Sequence, residues 1–272
     1  MSIHQKGENF IELVAVMQRL LAPDGCPWDR EQTLETLKPY AVEEVYEVLE
    51  AIEDGDVPGH CDELGDLLLQ IVFQAEMRAA EGQFGIDDVV RAIVSKLVRR
   101  HPHVFGETRV QGAEEVLANW KKLKEVEHAD KGKKRGPLDG VPRGVPALLQ
   151  AQRLGEKAAD VGFDWPDVCG VREKLDEELG ELDRAIAEQD PAAITEEIGD
   201  VLFTITRLAA KLRVAPEDSL RACLARFRAR FAKMQDKAVE AGYPENLAGL
   251  SLDEMDKLWR LAKQELQAKK NP

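Results

Sequence analysis

Apolar positions recur along this chain with the three-to-four-residue period of a helix. Phe10, Leu13, Val14, Met17 and Leu20 share one helical face, as do Val42, Val45, Leu49 and Ile52. Leu64, Leu67, Leu68, Ile71 and Val72 form a third stripe, and residues 89–98 a fourth that must stop at Pro102. Breakers fall at Pro23-Asp24-Gly25, between Gly55 and Gly59, and between Gly82 and Gly85. A further helix is expected over residues 116–126. Between His128 and Pro146 the pattern gives way to Gly132, Gly136, Pro137, Gly140, Pro142 and Gly144, interspersed with Lys131, Lys133, Lys134 and Arg135, which reads as a solvated linker. Helical periodicity resumes at Ala147, with turns near residues 162–166, 189–191 and 214–216. No alternating segment is long enough for a convincing strand, so an all-α fold is expected, with residues 1–129 as one unit, 130–146 as linker and 147–272 as a second unit.

The two units repeat one another. Glu44, Glu47, Glu63 and Asp66 recur as Glu178, Glu181, Glu197 and Asp200, each 134 residues later. Glu43, Gly65, Leu68 and Ile71 recur at the same offset as Glu177, Gly199, Leu202 and Ile205. After a small shift, Trp120 and Lys124 match Trp259 and Lys263.

The spacing of the acids predicts a site. Residues three apart share a helix face. Glu44 and Asp66 each lie 11 residues from Gly55, and Glu47 and Glu63 each lie 8 from it. A helical hairpin turning at Gly55 therefore sets two acidic pairs level with each other. The second copy repeats this about Gln189. Four carboxylates held together beside apolar residues repel unless a cation or protons neutralise them. An all-oxygen set without His or Cys favours a hard ion, Mg²⁺ or Mn²⁺, over zinc. A lone E-E-x-x-E is most often a solvated helix face; recurrence of all four positions makes the site the better reading.

Composition narrows the class. The 272 residues are 44% hydrophobic and 32% charged, with a formal net charge of −14. So acidic a surface repels nucleic-acid backbones and anionic membranes. Cys26, Cys61, Cys169 and Cys223 are scattered, as in reduced cytosolic proteins. With no signal-peptide pattern at the N-terminus and the richest apolar run, residues 64–73, interrupted by Asp66, a cytoplasmic protein is expected. A di-iron bundle would need two E-x-x-H motifs. Only Glu125 to His128 fits, without a partner. A non-catalytic helical adaptor is the remaining alternative. His101-Pro102-His103 is expected to cap or pack rather than to bind zinc.

The chain resembles the MazG family of nucleoside triphosphate pyrophosphohydrolases. The resemblance rests on Gly25-Cys26-Pro27-Trp28-Asp29, Glu43-Glu44-x-x-Glu47, Glu63-Leu64-Gly65-Asp66, Arg99-Arg100-His101-Pro102-His103-Val104-Phe105, Val161-Gly162-Phe163-Asp164-Trp165, Glu177-Glu178-x-x-Glu181 and Glu197-Ile198-Gly199-Asp200. It implies a tandem pair of MazG-like helical-bundle modules that form a homodimer. The implied reaction is Mg²⁺-dependent cleavage of nucleoside triphosphates to monophosphate and pyrophosphate, in a house-cleaning or alarmone-lowering role.

By the same resemblance Glu178, Glu181, Glu197 and Asp200 are the metal ligands, and Lys174, Glu177, Arg226, Arg230 and Trp259 contact the nucleotide. Glu177 or Glu178 would accept a proton from the attacking water. Family members can carry a basic residue near Ala193, where this chain has the uncharged Ala193, Ile194 and Thr195. In the first unit Glu44, Glu47, Glu63 and Asp66 would hold metal, with Lys96, Arg100 and Trp120 in the parts of Arg226, Arg230 and Trp259. Tyr40 stands where the second unit has Lys174, so the second unit is expected to be the principal catalytic site.

Overall fold

The computed structural model describes residues 5–112, 115–116, 119–120, 136–244 and 246–268. The chain falls into two compact units, Met1–Gly132 and Lys133–Pro272. Its described residues form helices joined by turns and no strand. Among them, no helix is long and apolar enough to cross a membrane. Most of the helix expected over residues 116–126, and much of the linker, lies outside the described residues.

The first unit contains α1 (Gln5–Leu21), α2 (Pro27–Glu31), α3 (Leu34–Asp54), α4 (Val57–Ala80), α5 (Ile86–Arg100) and α6 (Pro102–Phe105). Thr33 starts α3 with a reciprocal cap: its hydroxyl accepts from the Thr36 amide at 3.2 Å, and its own amide donates to the Thr36 hydroxyl at 2.9 Å. The helix ends where Gly55 turns left-handed (φ 68°), which glycine adopts without steric penalty. Asp56 then caps α4, accepting from the Gly59 amide at 3.1 Å. The outcome is an antiparallel α3–α4 hairpin, with α1 against α4. Met17, Leu37, Val72, Phe73, Ala75 and Ile86 form its core.

In the second unit α7 (Ala147–Asp160), α8 (Val168–Glu188), α9 (Pro191–Lys211), α10 (Pro216–Glu240) and α11 (Leu252–Ala268) repeat the scheme. Here α8 and α9 make the hairpin and α7 packs on α9. The turn residue Gln189 is also left-handed (φ 54°), at a cost of about 1 kcal/mol that a glycine would avoid. Asp190 caps α9 by accepting from the amides of Ala192 and Ala193 at 2.9 and 3.2 Å. The α10–α11 hairpin has its own apolar cluster of Met234, Ala238, Leu247, Leu250 and Ala262. Lys233 and Lys237 of α10 both pair with Glu265 of α11, at 3.2 and 2.9 Å.

The periodicity identified the helices better than the faces they cover. Val42, Val45, Leu49 and Ile52 on α3 are all exposed in the isolated chain, as are Val90, Ile93, Val94 and Leu97 on α5.

Candidate metal and nucleotide site

The two hairpins bring carboxylates together at the same register. In the first unit, oxygens of Glu44, Glu63 and Asp66 all lie within 4.8 Å of one another. In the second, Glu178, Glu197 and Asp200 do the same. Glu47 and Glu181 stand just outside these triads. Glu47 bears on Glu63 and raises its proton affinity, and Glu181 pairs with Arg184 at 3.0 Å while adding to the negative field on Glu197.

Such crowding raises proton affinity. Burial first, then the neighbouring Asp66, pushes the Glu44 carboxyl above its ordinary range, against a lowering contribution from Gln70. Glu63 is raised by burial and by Glu47 and Asp66, and Glu197 by burial and by Glu181, Glu178 and Asp200. One oxygen of Glu197, Oε2, is buried with no hydrogen-bond partner. A buried carboxylate oxygen left bare among other carboxylates is what a cation-binding donor set presents before it is loaded.

The surroundings differ between the units. Lys174, one turn before Glu178 on α8, donates to Glu177 Oε1 at 2.7 Å and contacts Glu178 Oε1 at 2.9 Å. These two hydrogen bonds push the lysine above its usual range. Its counterpart Tyr40 instead packs edge-on against Trp28, with ring centroids 6.1 Å apart. The first unit adds Gln70, buried one turn beyond Asp66, whose Nε2 reaches Glu44 Oε1 at 3.5 Å.

Other expected site residues sit on later elements of each unit. Arg226 is exposed and Arg230 half-buried on α10. Among the described residues, no hydrogen bond or ion pair joins either to a carboxylate of the triads. Trp259, on α11, rests against Phe227 of α10 with ring centroids 5.3 Å apart. It lines a cavity of about 220 Å³ with Phe227, Phe231, Met234, Met255 and Asp256. In the first unit Lys96 is exposed, and the Arg100 guanidinium sits 5.3 Å from the centre of the Trp120 ring, a cation–π contact. Lys124 lies outside the described residues. His101 bonds through Nδ1 to the Leu97 carbonyl at 2.7 Å at the end of α5, a capping contact, and its ring lies 5.6 Å from that of His103.

One network behind the second triad escaped sequence reasoning. Glu197, Asp200, Thr204, Arg207 and Lys211 run along one face of α9. Arg207, almost fully buried, pairs with Asp164 Oδ2 at 3.0 Å, and Lys211 pairs with the same oxygen at 2.8 Å. Lys211 also bonds the Trp165 carbonyl. Burial works to raise the Asp164 carboxyl, but hydrogen bonds from Lys211 and Arg207 outweigh it and hold it below the usual carboxylate range. Gly155 on α7 makes room: a Cβ there would fall 2.2 Å from Arg207 Nη1. A glycine inside a helical pattern, and basic residues continuing an otherwise inward face, were the available signals.

The domain model described as the MazG nucleotide pyrophosphohydrolase domain matches residues 32–105 and 170–234. All eight repeated carboxylates fall within those segments, as do Lys174, Arg226 and Arg230; Trp259 does not. The chain is 43% identical over 260 residues to the nucleoside triphosphate pyrophosphohydrolase/pyrophosphatase MazG of Thermotoga maritima, covering 95% of this chain and 97% of that one. It is 41% identical over 258 residues to a nucleoside triphosphate pyrophosphohydrolase of Escherichia coli, covering 93% and 96%. It is also 43% identical over 251 residues to the uncharacterized protein YabN of Bacillus subtilis, covering 92% of this chain but 50% of that one.

Proposed function

Because the chain belongs to the MazG nucleotide pyrophosphohydrolase family, we propose that it hydrolyses nucleoside triphosphates to the monophosphate and pyrophosphate, chiefly at the second unit. The observation that carries this reading is the convergence of Glu178, Glu197 and Asp200 within 4.8 Å, on helices whose register is repeated in the first unit. Their all-oxygen chemistry and the bare Glu197 Oε2 fit a divalent cation, Mg²⁺ or Mn²⁺. Glu178, Glu197 and Asp200 would hold it, with Glu181 beside them. Such an ion offsets phosphate charge and lowers the pKa of a bound water.

The protein groups have separable tasks. Glu177 stands outside the triad, so once Lys174 leaves it for phosphate its carboxylate can accept a proton as water attacks the α–β anhydride. One water P–O bond forms, the bridging P–O bond breaks, and pyrophosphate leaves with the electron pair. Lys174, held between Glu177 and Glu178, is poised to exchange those partners for phosphate oxygens. Arg226 and Arg230, four apart on α10, supply further positive charge once substrate bridges to them. Trp259, beside the cavity under Phe227, offers a ring for the base.

Residues 1–129 and 147–272 are taken as the two modules, with 130–146 as the connector. The exposed apolar stripes on α3 and α5 support assembly with a second copy of the chain, and the acidic surface disfavours nucleic acid and membranes. The test is pyrophosphate release from a panel of nucleoside triphosphates, with and without Mg²⁺, by the wild type and Glu178→Gln. Metal-independent turnover, or full activity in the variant, would overturn the assignment. Light scattering on the eluting species tests the dimer.

A further inference from the structure

The two carboxylate triads answer the same electrostatic problem in different ways. In the second unit the lysine is already there: Lys174 Nζ sits 2.7 Å from Glu177 and 2.9 Å from Glu178, the most buried acid of its triad at 6% exposed. In the first unit no lysine or arginine among the described residues bonds Glu44, Glu63 or Asp66. Lys174 is replaced there by Tyr40, whose ring turns to Trp28. What the first unit has instead is Gln70. It is 7% exposed, its Nε2 contact to Glu44 is long for a hydrogen bond at 3.5 Å, and its Oε1 is buried with no partner. Turning that amide over costs one weak contact and points a neutral oxygen at the triad. The equivalent position in the second unit is the shorter Thr204.

These differences carry a consequence for loading. A cation entering the first triad meets three carboxylates and, once the Gln70 amide turns over, a neutral oxygen, with no lysine or arginine among the described residues to displace. A cation entering the second must first compete with an ammonium group for Glu178, and a phosphate arriving with the cation gives that ammonium a new partner.

Resting on the cation reading above, we propose that the first module takes up a divalent cation unaided, Gln70 completing its ligand set, whereas Lys174 acts in the second as an internal counter-ion that ties cation uptake to the arrival of phosphate. The first site then holds a resident ion, and the second fills and empties with each nucleotide. Linkage requires reciprocity: whatever factor nucleotide adds to cation affinity at the second site, the cation adds to nucleotide affinity.

The experiment is a Mn²⁺ titration of the full-length, metal-stripped protein, followed by calorimetry and by the electron paramagnetic resonance of free Mn²⁺. Without nucleotide, the wild type should show one tight site, weakened about tenfold in Gln70→Leu and absent in Glu44→Gln. That factor is at the low end of what losing a group that supports a metal site costs in affinity. A second site should tighten about tenfold or more when a non-hydrolysable triphosphate analogue is added. Lys174→Met and Lys174→Gln should each tighten the second site about tenfold without nucleotide and shrink the nucleotide-induced gain. Two equal sites in the wild type, insensitive to both Lys174 substitutions, would overturn the proposal, as would a first site indifferent to Gln70→Leu. Pyrophosphate release from the same wild-type sample separates the two readings. Intact turnover with the wrong Mn²⁺ pattern sinks only the loading scheme, whereas absent turnover sinks the enzymatic assignment.

Discussion

The first and second modules share one hairpin and one acidic register, yet they surround that register with different chemistry. Reading outward from the triad along the second helix of each hairpin, the first module has Gln70 and Phe73 where the second has Thr204 and Arg207. Phe73 enters an apolar core with Met17 and Val72, whereas Arg207 is buried on Asp164. On the facing helix Tyr40 stands against Lys174. The comparison teaches that a duplicated backbone constrains where the acids sit but not how their charge is balanced, nor whether the layer beneath is held by packing or by ions.

The sharpest way to break the comparison is to remove one equivalent carboxylate from each module. Glu178→Gln is expected to lower the rate of pyrophosphate release about 10³-fold, in the range seen when a preorganised electrostatic group is lost. Glu44→Gln should leave a substantial fraction. Equal losses in a steady-state assay would erase the ranking of the modules.

Next in size is the contrast between packing and ions. Arg207→Ala leaves Asp164 buried with Lys211 alone, and should destabilise the second module by about 3 kcal/mol in urea unfolding. Gly155→Ala, which drives a methyl into the same guanidinium, should cost about 1–3 kcal/mol. If both variants unfold like the wild type, the network is ornamental.

The modules should also differ in how pH acts on them without metal. Glu44 and Glu63 have folded-state proton affinities raised above the unfolded ones, so their contribution is fully present below the ordinary carboxylate value of 4.5 and is lost as pH rises through the raised values. Glu197 acts in the same sense in the second module. Asp164 acts in a separate, more acidic window: its contribution is present above 3.8 and is lost as pH falls through the lowered folded value. Calorimetric scans between pH 4.5 and 7 should therefore show the first module's melting temperature falling with pH. Glu63→Gln should flatten that slope, and Asp164→Asn should leave it unchanged.

The smallest expected effect concerns the two turns. Gln189→Gly should stabilise the second module by about 0.5 kcal/mol by relieving a left-handed backbone, part of the gain being offset by the greater freedom of glycine in the unfolded chain. Gly55→Gln should do the reverse in the first module.

The hairpins were legible before any coordinates, down to the residues on which they turn. Gly55 announces a left-handed cap, and symmetry of the acids about Gln189 located the second turn although glutamine gives no such signal. Pro102 ended α5 as its missing donor requires. Legibility failed where contacts come from distant segments. The stripe of Val42, Val45, Leu49 and Ile52 marked α3 as amphipathic, but not that the rest of the described chain leaves it uncovered. That Trp259 packs on Phe227 likewise depends on a segment distant in the chain.

The amino-acid order alone determined the helical class, the duplication and the level pairing of acids, because helix period and turn position convert residue spacing directly into height on a face. Only the tertiary structure decided that Glu47 and Glu181 sit outside the tight triads, that Lys174 spans two glutamates, that Gln70 is buried with a bare oxygen, and that Arg207 finds Asp164 past Gly155. Those outcomes depend on rotamers and on segments far apart in the chain, whose free energies are set by burial and competing partners rather than by local spacing.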